Sequence, residues 1–241
     1  MILILLASGR GKRCKQLTKS APKCFIKLNK NQRIIDHIEK TFKFFKKVIV
    51  VGGYKSALLE KRYLANKKVT VIKNTKYLNT NMVYSLFVPK KLIKEDLIVS
   101  YADIIYKPNL IQKLKKEKYS SIALSENWLK IWRTRMSQNQ IIQDAEDVKI
   151  QKKFVKSIGQ RIINEMPKFQ YMGLFKILIK DYKKLSKKFI EINNKKIDMT
   201  SFINLMIRDQ KFKFSYVKTS SKWYEIDTPS DVKNFKKINF N

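Results

Sequence analysis

The sequence predicts an α/β fold built on a mostly parallel, mixed sheet with helices on both faces. Three observations support this. Apolar runs of strand length alternate with stretches of helical period through the first half. Two glycine pairs, Gly9/Gly11 and Gly52/Gly53, each directly follow a strand-like run. The final helix has a marked start, with Thr228 as N-cap, Pro229 at its first position and Asp231 two residues on. Near-continuous Val/Ile/Leu strands between helices are the pattern of a sheet buried on both faces.

In order, residues 1–7 (MILILLA) form a strand, 34–45 a helix, and 47–51 (KVIVV) a strand. Residues 56–64 are helical, 69–72 a short strand, and 81–89 a short helix. A strand at 97–101 (LIVSY), a helix at 108–116 and a strand at 120–124 complete the first half. After about Asn127 the pattern is mixed. Residues 169–177 read as a central strand, 198–208 as a helix, 212–217 and 223–226 as strands, and 227–237 as the closing helix. With no repeat and no linker, a single domain over 1–241 is expected.

Composition narrows the function. There are 53 Lys+Arg against 19 Asp+Glu, a formal net charge of +34. Forty-five of the basic residues are Lys, and Gly numbers only 6, against an average usage of about 7%. A global excess of Lys, Ile and Asn points to drift in the coding DNA. Lysine is spread along the chain with no nucleic-acid motif, which argues against the rival reading of a non-enzymatic nucleic-acid binder. Cys14 and Cys24 are too few for a disulfide framework. His37, the single histidine, sits in a helical segment as a structural residue. No apolar run reaches the ~18–20 residues of a membrane span. The first seven residues lack the basic start of a signal peptide, so a cytoplasmic location is expected.

In so biased a composition, the rare residues carry the information. Gly9 and Gly11 flank Arg10 in a loop after the first strand, where backbone can approach a phosphate closely; tight-turn glycines are the plainer alternative. Asp103 and Asp227 each follow a strand. Carboxylates at the carboxyl edge of one sheet can share a hard cation such as Mg²⁺. A turn or cap role for Asp103, and a helix N-terminal role for Asp227, remain open.

Leu6-Ala7-Ser8-Gly9-Arg10-Gly11-Lys12-Arg13, then Thr18 and Pro22-Lys23, resembles the signature of the sugar-phosphate nucleotidyltransferase superfamily. Further segments resemble its phosphocholine cytidylyltransferase-like branch. They are Val51–Tyr54, Asn81–Leu86, Val99–Tyr106, Trp128-x3-Trp132-x2-Arg135, Asp144-Ala145-Glu146, Gln170–Leu174 and Glu225–Pro229. Ser8 stands where a smaller residue is usual, and Arg161 where Lys is usual. The branch includes enzymes activating phosphocholine, aminoethylphosphonate and phosphoglutamine.

The resemblance implies a Rossmann-like nucleotidyltransferase domain. Its nucleotide-binding half would span about 1–125, and its acceptor-binding half about 126–241. It implies an Mg²⁺-dependent enzyme joining CTP, or another NTP, to a small anionic acceptor with release of pyrophosphate, for decoration of cell-surface glycans or lipids. Arg13 and the Gly9–Gly11 loop would hold the β- and γ-phosphates, and Lys23 the α-phosphate. Asp103 and Asp227 would hold the metal. Leu6, Ala7, Arg10, Gly53, Asn81 and Ser85 would complete the nucleotide site; a backbone-bonding role for Asn81 and a cap for Ser85 are the plainer alternatives. Trp128, Trp132, Arg135, Asp144, Glu146, Arg161 and Glu165 would form the acceptor site. Aromatic faces suit quaternary ammonium, acids an amine, and arginines a phosphate; core packing is the alternative for the tryptophan pair. A sugar-1-phosphate enzyme is the main alternative within the class. A homodimer is compatible with all of this.

Overall fold

The computed structural model describes every residue except 163, 164, 210, 211, 236, 237 and 239–241. Strand β1 (Ile2–Ala7) is the spine. Its side chains alternate between two cores, Leu3, Leu5 and Ala7 entering one and Ile2, Ile4 and Leu6 the other. That is why the run is apolar without a break. Each such large side chain, once buried, stabilises the fold by about 1.5–3 kcal/mol.

Around it lie β2 (Lys47–Gly52), β3 (Val69–Lys73) and β4 (Leu97–Tyr101), all parallel. Helices α1 (Ile34–Glu39), α2 (Ala57–Tyr63) and α3 (Met82–Phe87) connect them. The helix expected over 34–45 is broken. It stops at Glu39, and a separate 3-10 turn, Phe42–Phe44, follows a tight bend at Thr41 whose hydroxyl bonds to Ile38 O.

A short strand, β5 (Ile104–Tyr106), precedes α4 (Asn109–Lys116) and β6 (Ser120–Ser125). The second half adds α5 (Trp128–Trp132), α6 (Gln138–Asp144), and a hairpin of β7 (Glu146–Gln151) and β8 (Phe154–Arg161). Then come β9 (Gln170–Ile177), α7 (Ile179–Ile192), α8 (Met199–Arg208), β10 (Phe214–Thr219), β11 (Trp223–Glu225) and α9 (Pro229–Phe235). The expected end of the last helix, at Lys237, lies outside the described residues.

The main sheet runs β3-β2-β1-β4-β9-β6-β10-β8-β7. β9 is antiparallel to both β4 and β6, and β10 returns parallel to β6. Among the described residues a second sheet consists of β5 and β11, paired antiparallel with Glu225 opposite Ile104. This small sheet brings Asp103, just before β5, beside Asp227, just after β11.

Candidate active site at the junction of two pockets

The centre of the site is acidic. Ile226 N–H donates to Asp103 O at 3.0 Å, which fixes the two chain segments together. One oxygen from each of Asp103, Glu225 and Asp227 lies within 4.8 Å of the others. Glu225 was not foreseen from the sequence. It stands two residues before Asp227 on an extended segment, and that spacing puts two side chains on one face.

Three cations answer these acids. Lys23 Nζ donates to Asp103 Oδ2 at 2.7 Å and to Asp227 Oδ1 at 2.8 Å. Arg13 reaches the same Asp227 Oδ1 at 2.9 Å. Arg135, with a side chain only 2% exposed, bonds Asp227 Oδ2 at 3.2 Å and lies 3.5 Å from Glu225 Oε2. Asp231 holds Arg135 in turn, at 2.8 and 3.2 Å, and also accepts from Asp227 N and Thr228 N. Asp103 Oδ1 is buried with no hydrogen-bond partner among the described residues.

Charge states follow from these contacts. Burial alone would lower the Lys23 pKa, but Asp103 and Asp227 outweigh it and hold the ammonium above the usual lysine range. Burial would raise Asp227, but Lys23, Arg13 and Arg135 keep its carboxyl below the usual range. Glu225 is pushed up to about 8 by burial and by repulsion from Asp227, against the pull of Arg135.

A cavity of about 170 Å³ opens on one side of the acids. Leu6, Ala7, Gly9, Gly11, Lys23, Asn81, Ser85 and Asp103 all line it. Gly11 has φ +68°, and a Cβ there would sit 3.1 Å from the Lys23 stem. Gly53 stands behind the wall: a Cβ would fall 2.6 Å from Ser8 O and 2.7 Å from Tyr77 Cβ, so no larger residue fits. Ser8 is anchored by its hydroxyl to Val51 O and Gly52 O and accepts from Ser85, which accepts from Asn74. The departure at Ser8 thus adds a polar tie across the loop. Asn81 caps α3 through Met82 N, and its amide donates to Lys196 O. Arg10 is exposed and lies over the Tyr54 ring, 5.5 Å from its centroid.

A second cavity, of about 230 Å³, opens on the other side. Trp132, Asp144 and Glu146 line it, with Asp198, Tyr171, Trp223 and Glu225. Met82, Tyr101 and Ile104 also line it, so it draws on both halves of the chain. Glu146 accepts from Thr200 at 2.9 Å, and burial raises its pKa.

The other expected acceptor residues lie elsewhere. Trp128 is 1% exposed, donates its indole N–H to Pro167 O, and packs edge-on against Trp132 at 5.2 Å. It backs the pocket wall; the two rings do not form a cage. Arg135 sits beneath the acids, because Asp231 and Asp227 are nearer anions than anything in the pocket. Arg161 and Glu165 line a separate groove with Lys218 and Phe169, beyond the β7–β8 hairpin.

The MobA-like NTP transferase domain family matches residues 3–131. The CTP:phosphoglutamine cytidylyltransferase of Campylobacter jejuni is 33% identical, over 96% of this chain and 98% of its own. The choline-phosphate cytidylyltransferase of Streptococcus pneumoniae is 28% identical, over 68% of each chain. Among solved structures, the inositol-1-phosphate CTP transferase from T. maritima superposes with a TM-score of 0.76 at 18% identity, over 98% of this chain and 95% of that one. The last likeness is one of fold.

Proposed function

The chain belongs to the MobA-like NTP transferase family and is a nucleotidyltransferase, and on that footing we propose that it joins CTP to a small phosphorylated or phosphonylated amine, releasing pyrophosphate. The observation that carries this reading is the junction. Asp103 lines the first cavity, Glu225 lines the second, and Met82 and Tyr101 line both. A nucleotide in the first and an acceptor in the second would meet at the acid cluster.

An acceptor phosphate or phosphonate oxygen attacks the α-phosphorus of CTP. A new P–O bond forms, the bond to the β-phosphate oxygen breaks, and pyrophosphate leaves with that electron pair. The attacking oxygen is already anionic, so no general base is needed. This suits a site with no histidine among its lining residues. The work left to the protein is alignment and charge neutralisation. The Gly9–Gly11 backbone and Arg13 would hold the outer phosphates. Lys23 would neutralise the α-phosphate, where charge accumulates.

The acid cluster fits a divalent cation: three carboxylates converge, and Asp103 Oδ1 is buried without a partner among the described residues. Asp103 and Asp227, with Glu225, would hold Mg²⁺, which would screen repulsion between the two anionic substrates.

Glu146, Asp144 and Asp198 favour a cationic amine in the second cavity. These acids give the cavity a negative lining, which pairs with an ammonium more strongly than with a sugar's neutral hydroxyls. The Campylobacter relative's acceptor, named as phosphoglutamine, has this amine-bearing character. The product would be an activated small group for transfer onto a glycan or lipid at the cell surface, made in the cytoplasm. No helix among the described residues is long and apolar enough to cross a membrane.

Pyrophosphate release, followed for each of four NTPs against phosphocholine, aminoethylphosphonate, phosphoglutamine and glucose 1-phosphate, tests the reading. CTP with an amine-bearing acceptor is the expected pair. Turnover with glucose 1-phosphate alone would favour the sugar-phosphate alternative.

A further inference from the structure

The cations on the acid cluster are of two kinds. Arg135 is fixed: it is buried and gripped by both oxygens of Asp231. Lys23 and Arg13 belong instead to the first loop region and its continuation, beside the nucleotide cavity. Both converge on one oxygen, Asp227 Oδ1, at 2.8 and 2.9 Å. Lys23 also holds Asp103 Oδ2. Because Arg135 holds Asp227 Oδ2, Oδ1 is the Asp227 oxygen left for a divalent cation that also takes the unpartnered Oδ1 of Asp103. Lys23, Arg13 and that cation therefore compete for Asp227 Oδ1.

Both side chains can leave. Arg13 is 65% exposed. Lys23 carries its charge on a flexible four-carbon stem. That stem lies against Gly11 in the phosphate-binding loop and lines the nucleotide cavity. A phosphate there would offer Lys23 a second anion close to its present ones.

We propose that Lys23 and Arg13 are tethered counter-ions, which neutralise the acid cluster in the ligand-free protein and pass to the nucleotide phosphates when a divalent cation takes the acids. Nucleotide and cation then favour each other's binding, beyond their own attraction, because each removes what opposes the other. By linkage the coupling is reciprocal. It also spares the protein from holding the clustered acids against Arg135 alone between turnovers. The proposal rests on the reading that the acids hold a divalent cation.

The test uses Mn²⁺ alone, titrated into the nucleotide-free protein and followed by electron paramagnetic resonance. Lys23→Met should bind Mn²⁺ ~10-fold more tightly than the wild type, since a competing unit charge within a few Å has gone. Arg13→Gln should move the same way by a smaller factor of ~3, as its side chain is largely solvated. Arg208→Gln, at an exposed position on α8, should bind as the wild type does. Unchanged or weaker Mn²⁺ binding by Lys23→Met overturns the proposal. If that variant does not fold, unchanged binding by Arg13→Gln overturns it. No nucleotide or acceptor is present, so this failure would leave the transfer reaction standing. Absence of Mn²⁺ binding in every variant would overturn both the exchange and the metal reading.

Discussion

The main-chain N–H of Ile226 donates to the carbonyl oxygen of Asp103 at 3.0 Å. This single bond closes the β5–β11 pair at the point where chemistry is expected. It joins the end of the first half to the start of the last helix, and so sets Asp227 beside Asp103. The carboxylate cluster is a product of sheet pairing between segments remote in sequence.

The acids are the first target. Asp103→Asn or Asp227→Asn should lower turnover by at least ~10²-fold, about 2.7 kcal/mol of transition-state stabilisation. Glu225→Gln should act in the same direction. Circular dichroism should show an intact fold. Near-normal turnover in any of the three would remove that residue from the mechanism.

Lys23→Ala should depress kcat far more than it raises KM for CTP, because in the proposed mechanism its charge would be needed most where negative charge builds at the α-phosphate. Steady-state kinetics separate the two. A change confined to KM would make Lys23 a docking residue only.

Arg135 is expected to act on stability. Removing a buried cation from among Glu225, Asp227 and Asp231 leaves unpaired charges, a cost of about 3–5 kcal/mol. A chain of this size loses about 2–4 °C in Tm per kcal/mol. Arg135→Met should therefore unfold at markedly lower temperature. Arg161→Gln, on an exposed strand end, should stay within about 0.5 kcal/mol of the wild type. Equal Tm values for the two variants would contradict the buried-clamp role.

Glu146 gives a pH dependence. Burial raises its folded pKa above the ordinary value of 4.5, so the folded state holds its proton to higher pH than the unfolded state does. Stability contributed by the neutral form is thus present below the unfolded pKa and is lost as pH rises through the folded one. Glu146→Gln escapes that loss. Its Tm should exceed the wild type's at neutral pH, with the gap closing in acid, while turnover of an amine-bearing acceptor falls. A Tm gap independent of pH would show that Glu146 is not held in a raised state.

Much of the first half was legible because its strands are buried on both faces, so Ile2–Ala7, Lys47–Gly52 and Leu97–Tyr101 stand out as unbroken apolar runs. Helix α7 was not read. Its buried residues, Tyr182, Leu185 and Phe189, are submerged among lysines that line its solvated side. The β7–β8 hairpin was missed because it alternates weakly at the sheet edge. The glycine loop, Asp103 and Asp227 were visible as rare residues at strand ends, whereas Lys23, one of 45 lysines, stood out only through its place in the resembled signature. Trp128 and Arg135 were not separable from Trp132 by spacing alone. Which of them faces the cavity depends on the backing of α5 by Pro167 and on Asp231, both distant in the chain.

In the proposed reaction a cytidine nucleotide and a phosphorylated amine meet at the Asp103–Glu225–Asp227 cluster. Phosphorus NMR of the wild-type protein with Mg²⁺, CTP and an equimolar mixture of phosphoglutamine, phosphocholine, aminoethylphosphonate and glucose 1-phosphate tests it most directly. The expected result is a new pair of coupled resonances from a cytidine anhydride of an amine-bearing acceptor, growing in step with pyrophosphate and absent with Asp227→Asn. A spectrum in which only glucose 1-phosphate is consumed, or in which Asp227→Asn forms the same product at the wild-type rate, would contradict the account.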